Sequence, residues 1–256
     1  MYSLEIRSDP VTRDLLIADL WERGSTGISE LDDSRVRAFF EDSCDREALL
    51  RSYPDAVVRI EELRDWVAAA RDLLPPLAVG ARFFLVPEWR DDPTPPGRFR
   101  ITINPGMAFG TGVHETTQLC LEAIEQYLRP GMTVLDVGTG SGILAEAAGL
   151  LGASRVFACD IDPVAVEIAR QRVRLSFVGS CRAVRPGIAD LVVANISPEA
   201  IVELAADLFA TLRPNGILLA SGLERHEVEK VAPALRHIEQ VCEKAVWALA
   251  VSRRCL

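Results

Sequence analysis

Lysine is nearly missing from this 256-residue chain: Lys230 and Lys244 are the only two among 28 basic residues. That bias toward arginine reads as coding preference in a GC-rich genome. Long apolar runs are also absent. No stretch approaches the ~18–20 consecutive apolar residues of a membrane-spanning helix, so none is expected. The start of the chain carries Glu5, Arg7 and Asp9 and lacks the apolar block of a signal peptide. The six cysteines are scattered, with no CxxC pair and no histidine at zinc-ligand spacing. They read as reduced thiols of a cytoplasmic protein, with no metal site. Positive charge is in deficit, with 37 acidic residues giving a net charge of −9. Such a chain repels phosphate backbones, so charge-driven nucleic-acid binding is disfavoured. No internal repeat or low-complexity tract is present.

What is there suits a folded protein. Hydrophobic residues make up 49% and charged residues 25%, the balance of a soluble chain with a real core. The length allows one large domain or two smaller ones. Residues 1–60 read as strand, helix, strand, strand, helix, strand, a ferredoxin-like α+β arrangement. The strands fall at Tyr2 to Arg7, Thr26 to Leu31, Val36 to Phe40 and Ala56 to Ile60. One helix starts at Pro10 behind an Asp9 cap and ends at Gly24; the other covers Asp45 to Tyr53. Residues 61–74 have helical spacing and stop at Pro75-Pro76, which makes them a connecting helix. Residues 77–89 read as strand material, chiefly Arg82 to Val86. From Ile101 short Val/Ile/Leu runs alternate with helices, which predicts a doubly wound, mostly parallel α/β sheet over 75–256. Those runs lie at Val134 to Val137, Val156 to Cys159, Val173 to Val178, Leu191 to Ala194 and Ile217 to Ala220. Ile238 to Val241 and Val246 to Val251 read as a hairpin at the sheet edge.

The chemistry-bearing signal is Asp136-Val137-Gly138-Thr139-Gly140-Ser141-Gly142, where a strand turns through glycines into a helix. Glycines let a ligand approach the backbone, and the helix N-terminus offers free N–H groups. The dinucleotide fingerprint GxGxxG fails, because position 143 is Ile143; nor does a Gly-Lys-Ser/Thr phosphate loop follow. Asp160 ends the next strand, 22 residues after Gly138, where a carboxylate can accept both ribose hydroxyls of a nucleoside. Asp162 caps the helix that begins at Pro163.

These residues resemble motifs of the class I methyltransferases that use S-adenosylmethionine. Two further segments narrow the likeness: Asn104-Pro105-Gly106-Met107-Ala108-Phe109-Gly110-Thr111-Gly112-Val113-His114-Glu115-Thr116-Thr117 and Val192-Val193-Ala194-Asn195-Ile196. Both resemble the PrmA family, methyltransferases of ribosomal protein L11, over nearly the whole chain. The resemblance implies a seven-stranded Rossmann-like methyltransferase sheet behind a small substrate-recognition domain. It implies S-adenosyl-L-methionine as methyl donor and transfer to lysine ε-amines or the N-terminal α-amine of a basic ribosomal protein. Cofactor contacts carry over to Thr117, Gly138, Gly140, Asp160 and Asn195. Gly110 and Gly112 would form a closing loop with Phe109 as its cover. Asn195, at a strand end, can accept from the attacking amine and orient its lone pair. His114 is assigned to the donor-methyl pocket, with a loop-stabilising hydrogen bond as the other reading. His114-Glu115 opens like HExxH, but Gln118 stands where the second zinc ligand belongs. Ser180 could touch the adenine; His226 and His237 read as solvated.

Residues 1–60 hold 13 acidic and 8 basic residues, a net charge of −5, which would attract a basic protein. A monomer without direct nucleic-acid or membrane contact is expected. Two departures from the family pattern bear on the target amine: Ser197-Pro198 after Asn195-Ile196, and a shortened stretch between Asp160 and Asn195. Rival readings are a methyltransferase of another protein or a small molecule, a nicotinamide-dependent oxidoreductase, and a non-enzymatic binding protein.

Overall fold

The computed structural model describes residues 2–9, 13–32, 34–60, 74–104 and 113–254. The chain divides into two compact units, Met1–Leu73 and Leu74–Leu256.

The first unit runs β1 (Tyr2–Arg7), α1 (Arg13–Glu22), β2 (Gly27–Asp32), β3 (Arg35–Phe40), α2 (Arg46–Ser52) and β4 (Val57–Ile60). Its sheet order is β2-β3-β1-β4 with every pair antiparallel, the ferredoxin-like arrangement. Strand alternation builds the core: Val36, Ala38 and Phe40 of β3 are buried beside Leu4, Ile6, Leu20 and Leu49. Helix α1 ends as its glycine requires, with Gly24 at φ +88 and Ser25 N–H donating to the Leu20 carbonyl at 3.0 Å. Asp45 caps α2 by accepting from Ala48 N at 3.0 Å. Glu5 is buried between Arg59 and Arg37, whose guanidiniums hold its carboxyl below the usual range. The expected helix start at Pro10 and the expected connector over 61–74, apart from Leu74, lie outside the described residues.

The second unit begins with a small sheet that the sequence reading located in part. It contains β5 (Leu77–Val79), β6 (Phe83–Pro87) and β7 (Phe99–Ile103), with β6 and β7 parallel. The strand material expected over 77–89 holds β5 and β6; β7, which carries Arg100 and Thr102 among its apolar residues, was not expected. Arg98 fastens the ends by donating to the Phe83 carbonyl at 2.7 Å and the Gly80 carbonyl at 2.9 Å.

The main sheet holds β8 (Thr133–Val137), β9 (Arg155–Asp160), β10 (Ser176–Val178), β11 (Ala189–Asn195), β12 (Leu212–Glu224), β13 (Ile238–Lys244) and β14 (Trp247–Arg253). The order is β10-β9-β8-β11-β12-β14-β13, with the first five parallel and β14 antiparallel to both neighbours. This is the expected seven-stranded methyltransferase-like sheet with its edge hairpin. The helices are α3 (Glu115–Tyr127), α4 (Ile143–Leu150), α5 (Pro163–Arg170), α6 (Pro198–Thr211) and α7 (Val228–Val231). They cover both faces. Leu191 and Val193 pack with Leu119, Ile124 and Ala147, whereas Val192 and Ala194 pack with Ile201, Leu208 and Phe209. A strand buried on both sides explains the unbroken apolar runs. The third strand is shorter than expected. Val173 closes the turn after α5, its N–H on the Ala169 carbonyl at 2.8 Å, and packs on Ala145 and Ala158. Strand β8 pairs with β9 on one side and β11 on the other, so the strand order reverses there. Ligands of open α/β sheets bind outside the carboxyl ends of the strands at such a reversal.

Candidate active site

A cleft of about 590 Å³ opens at that reversal, within the ~300–1,000 Å³ common for small-molecule sites. His114, Thr117, Gly138, Gly140, Asp160 and Asn195, the six residues expected at the site, all line it. They come from different elements: the loop after β8, the end of β9, the end of β11 and the start of α3.

The three glycines after β8 do three different jobs. A side chain at Gly138, φ +71, would meet Ile196 Cγ2 at 2.3 Å. Gly140, φ +52, donates its N–H to Asp160 Oδ2 at 2.9 Å. Gly142, φ +79, lies against Ala169, leaving 3.0 Å between an added Cβ and the Ala169 Cα. Only the first two line the cleft; the third serves helix packing. The Asp160 carboxylate accepts on its other oxygen from Asp162 N at 3.0 Å. It is thus aimed by two backbone donors and retains lone pairs for a ligand. Asp136 is buried beneath the loop, accepting from Thr139 Oγ1 at 2.7 Å, and burial pushes its carboxyl up to about 6. Asp162 caps α5 through Val164 N at 2.8 Å, as expected.

The cap of α3 is His114, whose Nδ1 accepts from Thr116 N at 3.3 Å. The same Nδ1 lies 2.8 Å from Thr116 Oγ1. A ring nitrogen that accepts an N–H carries no proton, so the Thr116 hydroxyl donates to it as well. Thr116 Oγ1 in turn accepts from Asn195 Nδ2 at 3.3 Å. This chain fixes which way the Asn195 amide faces. Its Oδ1 is buried and has no hydrogen-bond partner among the described residues, and the same holds for Thr117 Oγ1. Both residues line the cleft. The His114 ring meets the Trp247 ring edge-on at 4.8 Å. Phe109, Gly110 and Gly112 lie outside the described residues.

Ser180 lines the cleft and caps the 3₁₀ turn that follows, accepting from Arg182 N at 3.3 Å. His226 and His237 are exposed, as expected. Trp247, Glu224, Glu227 and Ile196 also line the cleft, and sequence reasoning missed them as site residues. Ile196 alone stood in a recognisable motif. No arginine or lysine lines the cleft among the described residues, while Asp160, Glu224 and Glu227 do. No group of three or more His, Cys, Asp or Glu among the described residues could hold a metal ion. The Ser197-Pro198 departure is the start of α6: Ser197 Oγ accepts from Ala200 N at 3.3 Å and Pro198 takes the first turn.

A family model described as Ribosomal protein L11 methyltransferase (PrmA) matches residues 12–254. The chain belongs to the PrmA family. Similar curated proteins carry the name ribosomal protein L11 methyltransferase. That of Heliobacterium modesticaldum is 42% identical over 74% of this chain and 64% of its own length. That of Symbiobacterium thermophilum is 44% identical over 75% of this chain and 63% of its own length. The chain therefore spans slightly under two thirds of these two relatives. The crystal structure of a ribosomal protein L11 methylase from Lactobacillus delbrueckii subsp. bulgaricus superposes with a TM-score of 0.64 at 35% identity. That match covers 70% of this chain and 98% of the other. Membership of the PrmA family agrees with the sheet order and with the position of the cleft.

Proposed function

We propose that the protein is an S-adenosylmethionine-dependent N-methyltransferase of a basic ribosomal protein of the L11 type. The transfer goes to lysine ε-amines or the N-terminal α-amine. The observation that carries the reading is the Asn195 amide: Asn195 lines the cleft, Thr116 holds its Nδ2, and its buried Oδ1 has no partner among the described residues. The cleft fits the methyl donor. Asp160 offers an oriented carboxylate for a ribose, Gly138 and Gly140 bring backbone close, and the Thr117 hydroxyl, without a partner among the described residues, can meet a polar group. When bound, S-adenosylmethionine supplies a methyl group on positively charged sulfur.

The residues of the chain then have two tasks. One is to present a neutral amine: a free lysine of pKa about 10.4 is neutral in only about one molecule in 2,500 at pH 7. The other is alignment. Asn195 Oδ1 accepts an N–H of the amine and turns its lone pair toward the methyl carbon, the near-attack geometry that displacement requires. The incoming ammonium gives one proton to water as it reaches Asn195; displacement at the methyl carbon would then leave the product as a charged methylammonium and the donor as a neutral thioether. His114 supports this through Thr116 rather than by proton transfer, since its Nδ1 is already occupied.

A cleft without arginine or lysine among its described lining supports a cationic substrate over a phosphate-bearing one. We read residues 1–60 as the substrate-recognition domain, and the protein as a cytoplasmic monomer. No helix among the described residues is long and apolar enough to cross a membrane. The test is to incubate the protein with methyl-labelled S-adenosylmethionine and a ribosomal extract and to identify labelled species by mass spectrometry. Label on an L11-type protein is expected. Label confined to RNA or small molecules, or tight binding of NAD instead of S-adenosylmethionine, overturns the reading.

A further inference from the structure

We propose that Glu224, Glu227 and Trp247 form a cation subsite at the mouth of the cleft, which takes up the substrate amine in its ammonium form before transfer. The inference rests on the amine-methyltransferase reading of the same cleft and assigns residues to the arrival of the amine.

Strand β12 is irregular between Ser221 and Leu223, and beyond that shift Glu224 pairs directly with Trp247 of β14. Residues directly opposite in an antiparallel pair project from the same face. Gly222, Glu224 and Trp247 accordingly all line the cleft. Glu227 joins them through a reciprocal capping box: Glu224 N–H donates to Glu227 Oε2 at 2.9 Å, and the Glu224 carboxylate accepts from the Glu227 backbone. The pairing holds the two acids at one end of a short turn. His226 Nδ1 approaches Glu224 Oε2 at 3.3 Å from the exposed side. A separate observation points to a ligand in the same cleft: Thr117 lines it, is fully buried, and has no hydrogen-bond partner for its Oγ1 among the described residues.

The chemistry of this wall suits one class of group. Two carboxylates provide charge-assisted acceptors for the N–H donors of an ammonium, and an indole is the best aromatic neighbour for a cation. A phosphate or carboxylate ligand would be repelled. An alkylamine near neutral pH arrives almost wholly protonated, so a site restricted to the neutral form would meet a trace of its substrate. A subsite for the ammonium collects the abundant form, and loss of the proton to water follows as the nitrogen moves toward Asn195. The product ammonium keeps its charge after each transfer, so the same wall would also hold an amine between successive methylations.

The test uses the full-length protein and the variants Glu224→Gln, Glu227→Gln and the double variant. Glutamine retains an acceptor oxygen for the capping box and removes the charge. With S-adenosylmethionine saturating and purified L11-type protein as substrate, the double variant should raise KM at least tenfold, with a much smaller fall in kcat. Its Tm and its affinity for S-adenosylmethionine should match the parent protein. The second readout needs no methyl transfer. n-Butylammonium chloride, a mimic of the lysine side chain, is titrated while the Trp247 indole N–H is followed by NMR, its resonance assigned with Trp247→Phe. The signal should shift in the parent protein and stay fixed in the double variant. An unchanged KM in the double variant, or a Trp247 signal indifferent to n-butylammonium in the parent, overturns the subsite. If the parent shifts with n-butylammonium but methylates no ribosomal protein, the subsite stands and the proposed substrate falls.

Discussion

The Thr116 hydroxyl accepts from the Asn195 side-chain amide at 3.3 Å, tying the first turn of α3 to the carboxyl end of β11. Because His114 Nδ1 accepts from the Thr116 hydroxyl, the Asn195 Oδ1 is the end of the amide left without a partner among the described residues. Thr116→Val removes the tether without changing the size of this buried side chain. The Asn195 amide then becomes free to rotate, and kcat should fall about tenfold, equivalent to about 1.4 kcal/mol of transition-state stabilisation. Thr116→Ser should restore most of it. Asn195→Ala removes the acceptor itself and should cost roughly a hundredfold in kcat. Steady-state kinetics on the three variants test this order. Equal turnover in Thr116→Val and the parent would sink the positioning role.

Ile196, the next residue, is clamped between two glycines. Its side chain lies over Gly138, and its carbonyl oxygen would stand 2.2 Å from a Cβ on Gly222, which has φ +88. Gly222→Ala therefore combines left-handed strain with a backbone clash, a cost of roughly 2–4 kcal/mol. Gly187, φ +67, has nothing within 4 Å of an added Cβ, so Gly187→Ala carries the strain alone, about 1–2 kcal/mol. Thermal melts should place Gly222→Ala clearly below Gly187→Ala. Melts that coincide would show that Ile196 yields without penalty.

Much of the site was legible because its signals are local. Gly138, Gly140 and Asp160 sit at strand ends that short apolar runs announce, and Asn195 closes one of those runs. Glu224 and Trp247 carried no such signal. They meet through an antiparallel register shifted at a bulge, and periodicity does not reveal which distant residues become opposite. The capping role of His114 was hidden for another reason: two threonines with hydroxyls stand beside it, and hydroxyls are the commoner caps. Strand β7 escaped notice because Arg98, Arg100 and Thr102, side chains that read as loop, alternate with its few apolar residues.

Asp136 gives the second unit a pH dependence of definite sign. Burial raises its carboxyl to about 6, against about 3.9 in an unfolded chain. Between those values the folded state holds a proton that the unfolded state has released, so this group's contribution to stability falls as pH rises through the window. Above it both states are ionised, and the penalty of a buried charge is complete. Asp136→Asn keeps an acceptor for Thr139 and removes the charge. Its Tm should exceed the parent's at pH 7.5, by an amount corresponding to at most about 3 kcal/mol, and the gain should shrink toward pH 4.5. A gain that is constant across this range, or absent, would mean that Asp136 does not titrate there.

The two units have separate cores: Leu4, Val36 and Phe40 pack within the first, and the main sheet with its helices forms the second. Removing residues 1–60 should therefore leave the cleft folded and its affinity for S-adenosylmethionine within about threefold of the parent, since every described residue lining it belongs to the second unit. The effect on a protein substrate should be different in kind. The deleted part carries a net charge of −5 out of −9, and an acidic surface raises the encounter rate with a basic partner. Methylation of an L11-type protein should drop by at least a hundredfold in kcat/KM, while methylation of n-butylamine, which needs only the cleft, should persist at the parent rate. Calorimetric binding of S-adenosylmethionine together with the two methylation rates separates the cases. If the truncated chain methylates the ribosomal protein as well as the parent does, recognition lies in the second unit, and the acidity of residues 1–60 serves solubility alone.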